Sequence, residues 1–338
     1  MPLQPHRSFL VTSVGAYADS GFGTGGLVCV REGESVVIDK IDSTGLWAGG
    51  DTIYRFARGL QSIVGYGPDG VRSVLRIPEA KDIHDVMLRD GKFVCVSTGT
   101  NEVLWIDAFG RITRRWMADG ELDAWHLNCL CEKDGRLYLA AFGRFADHRA
   151  WVGKCAGLGF ILDLESGAEV VNGLSGPHNP RFLDGEWIVC NSHTNSLLIQ
   201  AADGTRREVA LGGFTRGLAH DADFFYVGES ANRKAGIPTD HSFIATVDRR
   251  TLEVIDRIKI PFPEIYELVP LAPADADRMA ADPSRFQIER TSDRIRELEN
   301  QVELGIGEIE KLRFHLDDMK TYAEFKAKLT KIKRRIVG

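Results

Sequence analysis

Three histidines and an arginine recur at one place in this chain. His84, His178 and Arg216 each precede a turn residue (Gly91, Gly185 and Asp223) by the same interval, and His126 joins them if a short insertion before Gly135 is allowed. Histidine is the commonest neutral nitrogen ligand for transition metals, and three imidazoles around one axis leave an open position for water or substrate. A divalent metal held by His84, His126 and His178 would lower the pKa of bound water or polarise a carbonyl; zinc, iron, manganese and copper all suit such a set. Arg216 would grip a carboxylate or phosphate with two N–H groups. The run TRGLAH places no acid beside it, so it is expected to recognise an anion and not to form a structural ion pair. The matching positions elsewhere are near Thr44 and at Tyr266 or Glu267. Facing inward, Glu267 would be a fourth ligand or a general base, and His220, four residues past Arg216 and deeper on the same side, a proton carrier. Asp82, Asp85 and Asp123 would fix the imidazole tautomers from behind. A single histidine on an inner strand is usually a hydrogen-bonded structural residue; three at one register position point to chemistry. His148, His193 and His241 fall in insertions or turns and read as solvated, with His193 and Glu229 bordering the mouth.

A repeat must position these groups. Its clearest copy runs from His84 to Met117 as HDVMLRDG, KFVCVST, NEVLWIDAFG, RITRRWM: four apolar strands joined by turns carrying Asp or Gly. Further copies begin at WHLNCLCEKDG, PHNPRFLDG, TRGLAHDAD and TGLWAGGD, two of them with long insertions before the third strand. Four short strands recurring about every 40–50 residues are the pattern of a β-propeller blade. The N-terminus supplies only three strands (SFLVTSV, GGLVCVRE, SVVIDKI), and a lone first strand, IYELVPL, follows the fifth complete copy. Pairing that strand with the N-terminal three closes the ring and leaves no edge to aggregate. The expectation is an all-β, six-bladed propeller over roughly residues 7–273, with the first strand of each blade lining a central channel.

Composition agrees. With 338 residues, 43% hydrophobic and 27% charged, the chain can bury a large core, and 35 Gly against 12 Pro suits many tight turns. A net charge of −6 offers no footprint for nucleic acid or an anionic membrane. No apolar run is long enough for a transmembrane segment or a signal peptide, so a cytoplasmic protein is expected. Six cysteines without CxxC spacing (Cys29, Cys95, Cys129, Cys131, Cys155, Cys190) read as buried free thiols. GFGTGG at Gly21–Gly26 leads into a strand and reads as a turn, because a phosphate loop needs a helix N-terminus. The sequence shows no GxSxG motif and no Cys/His nucleophile context. Most tryptophans are core; Trp125 beside His126 would line a pocket.

Beyond Pro273 the pattern changes. Ile295, Val302, Ile309 and Leu316 keep seven-residue spacing, with Leu298, Leu312 and Met319 at the second heptad position and Gly305 breaking that series. This predicts a helical tail over 274–338, coiled-coil-like over 288–320, with a short basic helix over 322–336 opened by a Thr321/Glu324 capping box. Its apolar stripe needs a partner face, so a homo-oligomer is expected.

The segments SGPHNPRFLDGEWIVCNS, GFTRGLAHDADFFYVGES and WHLNCL resemble a bacterial family of propeller proteins carrying a domain of unknown function. That resemblance implies the fold and no reaction. More distantly the architecture resembles the six-bladed lactonase, paraoxonase and NHL-type propellers, whose axial metals serve hydrolysis, although their acidic and asparagine calcium cage is not evident here. It also resembles the peptide-amidating lyase, whose three axial zinc-binding histidines His84, His126 and His178 would match by role, and oligogalacturonate lyase, which joins axial histidines with an arginine. Two functions of different class follow. One is a metal-dependent hydrolase or lyase acting on a small anionic substrate, a sugar acid or a modified amino acid, with Arg216, Glu267 and His220 as its catalytic groups; iron or copper oxygen chemistry is its variant. The other is a non-catalytic scaffold that recruits a partner and oligomerises through its tail.

Overall fold

Asp-Gly turns set the register of the blades. Asp90–Gly91, Asp134–Gly135 and Asp184–Gly185 each have positive φ at both residues (50° and 71°, 51° and 72°, 52° and 84°), the tight two-residue turn whose twist matches that of the strands it joins. The computed structural model, which describes residues 4–15, 22–231 and 240–288, builds six four-stranded antiparallel sheets from these hairpins. The six inner strands are Ser43–Gly49, Ile83–Arg89, Leu127–Lys133, Pro177–Leu183, Phe214–His220 and Glu264–Pro270.

Position within a blade decides composition. Second strands such as Lys92–Ser97 and Phe224–Ser230 are buried almost throughout, whereas the outer strand Ile112–Met117 is mostly exposed and carries two arginines and a tryptophan. The apolar side chains meet between neighbouring blades, where sheets pack face to face.

Closure follows the expected route. Glu264–Pro270 pairs with Phe9–Val14, Phe9 opposite Pro270 and Val11 opposite Leu268, so the first blade takes its inner strand from the far end of the chain. Ile265, fully buried, packs with Phe9, Val11, Tyr226, Ile244 and Leu268 in the seam between the sixth blade and this composite one. Ile265→Val should therefore cost about 1 kcal/mol, the usual price of one buried methyl, read by urea unfolding; an unchanged midpoint would mean that the seam adds no stability.

The propeller unit runs to Gln287. It includes a helix, Pro273–Ala281, whose Ala276 and Met279 are buried, and a short 3-10 turn, Pro283–Phe286. This helix thus belongs with the propeller unit. Apart from Ile288, the predicted coiled coil and the basic helix lie outside the described residues. Among the described residues no helix is long and apolar enough to cross a membrane.

Candidate functional site

Each inner strand carries an irregularity in its pairing near its start, between Thr44 and Leu46, Ile83 and Asp85, Leu127 and Leu130, His178 and Arg181, Thr215 and Leu218, and at Tyr266. A bulge twists its strand and re-aims the side chain it carries. The sequence positions picked out as a ring fall at or beside these bulges, and what they carry differs from blade to blade.

His84 and His126 meet, ring centroids 5.1 Å apart, and His84 also stands edge-on to Tyr266 at 5.5 Å. Tyr266, not Glu267, is thus the ring residue of the composite blade. Thr44 is structural, its hydroxyl donating to the Ile83 carbonyl at 2.5 Å and tying the second blade to the third. His178 stands apart: Phe142 lies between it and His126, with centroids 5.4 Å from the first and 4.4 Å from the second. Every Nδ1 is taken, His84 by Asn128 Oδ1 (2.9 Å), His126 by Asp123 Oδ1 (2.8 Å), and His178 by Ser192 Oγ (2.7 Å) and the Gly176 carbonyl (3.1 Å). Among the described residues no three His, Cys, Asp or Glu side chains are grouped to hold a metal ion. The side chains present do not fit the expected three-histidine centre.

Burial makes two of these imidazoles neutral. His126 is pushed down to about 4 by desolvation, the Asp123 hydrogen bond only partly opposing this. His178 is driven well below its ordinary value by burial and then by the Arg216 charge. Asp123 acts as expected, orienting His126. Trp151 covers that ring at 3.9 Å and donates its indole N–H to the Asp123 carbonyl at 3.0 Å.

Arg216 is buried with its guanidinium carbon 3.2 Å from the centroid of Tyr266. Contrary to the local sequence, it has an acidic partner: Glu264, on the adjacent inner strand, takes Nη1 at 3.2 Å. A partner across strands leaves no trace in the TRGLAH run. Arg216 Nε and Nη2, and the Tyr266 hydroxyl, are buried with no hydrogen-bond partner.

Glu267 and His220 lie toward the other end of the channel, lining a cavity of about 420 Å³ with Asp85, Arg181, Trp47 and Phe182. Glu267 is fully engaged. Oε1 accepts the Leu218 and Leu268 N–H groups (3.1 and 3.0 Å), while Oε2 accepts Asn179 Nδ2 (2.7 Å) and Arg181 Nη2 (3.0 Å). Its geometry is that of an inter-blade tie, with no lone pair left for proton transfer. Asp85 is a second tie, accepting Leu130 N–H across blades at 2.8 Å and Val86 N–H at 2.9 Å, so it does not orient a histidine. Asp82 does approach one, Oδ2 lying 3.4 Å from His84 Nε2. Glu229 is likewise structural, paired with Arg257 at 2.7 Å.

One pairing had no sequence signal. Cys155, in the insertion of the fourth blade, lies with Sγ 3.3 Å from His193 Nδ1, on the turn after the second strand of the fifth. Only the packing of neighbouring blades brings them together, so the absence of a Cys/His context in the sequence does not hold in space.

Residues 73–274 match DUF4915, a domain of unknown function. The match spans more than half of the chain, and the chain belongs to this family. No curated protein matches the sequence. Among solved structures the chain is similar to a luciferin-regenerating enzyme (14% identity, 68% of this chain and 80% of that chain covered, TM-score 0.51). It is also similar to a chain of a nidogen/laminin complex (10%, 77% and 97%, 0.54) and to a protein of unknown function from Bacteroides caccae (14%, 79% and 99%, 0.53). At these identities the likeness carries the fold alone.

Proposed function

We propose that this member of the DUF4915 family binds a small organic anion at the end of its axial channel where the inner strands begin, and acts on it by proton transfer as a hydrolase or lyase. One observation carries the reading: Arg216, 5% exposed, keeps two nitrogens without partners. A buried donor left unmade costs about 1–3 kcal/mol, and a carboxylate or phosphate satisfies two guanidinium N–H groups at once. Tyr266 supports the same end. Its phenol, held in the protonated form by burial against the opposing charge of Arg216, offers a further donor to the anion.

The base is His126. Asp123 fixes the proton on Nδ1, which leaves Nε2 of a neutral ring to accept one from water or from a carbon beside the bound anion. Trp151 and Phe142 shield that ring from bulk water.

Arg216→Lys tests the reading, because lysine keeps a charge opposite Glu264 and removes the planar fork. Titration calorimetry with acetate, benzoate and inorganic phosphate should show one of these anions bound by the wild type and bound at least about tenfold more weakly by the variant, as expected for one lost charge-assisted hydrogen bond. The melting temperature should move by only a few degrees. If no anion binds the wild type, or the variant binds equally well, the reading fails.

A further inference from the structure

Five of the six cysteines lie on strands of the blades: Cys129 and Cys131 on an inner strand, Cys95 and Cys190 on second strands, and Cys29 on the third strand of the composite blade. Burial pushes all five thiols up, Cys29 to about 12. Cys155 is placed differently. It sits in the irregular stretch between strands Arg136–Ala141 and Gly159–Asp163, and its sulfur is within hydrogen-bond distance of His193 Nδ1.

The imidazole is held in place from three sides. Phe142 and Phe214 pack on it at 5.3 and 5.8 Å, and Gly176 lies beneath it. A Cβ at residue 176 would come within 3.0 Å of three ring atoms, and φ there is +63°, so glycine alone allows the close approach. Nδ1 therefore stays on the sulfur.

We propose that Cys155 and His193 form a thiol–imidazole pair in which Cys155 is a reactive nucleophile toward small hydroperoxides. Cys155 is only 2% exposed, which favours an uncharged reagent the size of hydrogen peroxide over a bulky disulfide. His193 Nδ1 takes the thiol proton, and the thiolate attacks the terminal peroxide oxygen. The S–O bond forms as the O–O bond breaks, and the departing hydroxide or alkoxide takes the proton from Nδ1 to leave as water or alcohol. Sulfur is oxidised to the sulfenic acid and the hydroperoxide is reduced. The same stretch carries Trp151, which covers His126, so the product forms on the segment that shields the proposed base.

The test is peroxide treatment of the native full-length protein in the presence of dimedone, with the six cysteines quantified by peptide mass spectrometry. Cys155 should be labelled at least about tenfold faster than each of the others, and His193→Gln, folded by circular dichroism, should slow it by about tenfold, as expected where thiolate fraction controls rate. Should that variant fail to fold, the wild type decides alone. A coupled pair keeps its rate nearly flat from pH 8 to about 6.5, whereas an isolated thiol of pKa about 8.5 slows roughly tenfold per unit. Equal labelling of all six cysteines, an unchanged rate in a folded His193→Gln, or the tenfold fall per unit would each overturn the proposal.

Discussion

Glu267→Ala is expected to destabilise the propeller by about 3–5 kcal/mol, the cost of removing one member of a buried ion pair and stranding the other. The carboxylate is 2% exposed and gathers three blades, taking Asn179 and Arg181 from the fifth, Leu218 N–H from the sixth and Leu268 N–H from its own strand. Alanine strands the Arg181 guanidinium, whose charge Glu267 sustains against the desolvation that opposes it, and leaves two buried backbone donors unpaired. The Leu218 N–H directly follows a bulge, where the regular ladder is interrupted. Glu267→Gln should fall between the two, since the amide keeps the shape and one acceptor but turns a donor toward Arg181. Urea unfolding of the three proteins measures this. A midpoint for Glu267→Ala within error of the wild type would return Glu267 to the list of candidate proton carriers.

The difference between Tyr266 and Glu267 marks where the sequence stops being legible. Strand order, blade count and the closing of the ring were readable because each rests on local signals: Asp-Gly turns, apolar alternation, and a three-strand start answered by a lone strand near Pro270. The ring position was readable too, as the common interval of His84, His178 and Arg216 before their turns. Which neighbour each ring residue meets was not, because that depends on the bulges. A bulge adds one residue to one strand and shifts side chains between faces; at Tyr266 it turns the tyrosine toward His84 and Arg216, while Glu267 turns to Asn179, Arg181 and Leu218. Phe142, just past a second strand, comes between His178 and His126. The pairings Arg216–Glu264 and Cys155–His193 join different blades, and no spacing along the chain encodes the distance between two blades. In this propeller the repeat encodes the scaffold, and departures from the repeat encode the candidate sites.

Two of those departures oppose one another in pH, and separating them gives the second large effect. Asp85 is raised to about 7 by burial and then by the Glu267 charge, against the hydrogen bonds from Leu130 and Val86. Relative to an unfolded value of about 3.9, the native state holds an extra proton between about pH 4 and 7, so its contribution is fully present at low pH and is lost as pH rises through 7. The loss is of order 4 kcal/mol. His126 runs the other way. Its native value near 4, set by burial, lies below the unfolded value of about 6.5, so its contribution is fully present above about pH 6.5 and is lost as pH falls toward 4, by about 3 kcal/mol. Between about pH 4 and 6.5 the two slopes nearly cancel in the wild type. Asp85→Asn should remove one of them, so that stability relative to wild type rises by about 3–4 kcal/mol from pH 4 to 7; His126→Gln should fall relative to wild type by about 3 kcal/mol from pH 4 to 6.5. Taking each variant as a difference from wild type at the same pH removes every titration the proteins share, His178 included. Urea unfolding at half-unit steps measures both. Two difference curves that stay flat, or slope the same way, would show that neither the buried carboxyl nor the buried imidazole titrates as its surroundings dictate.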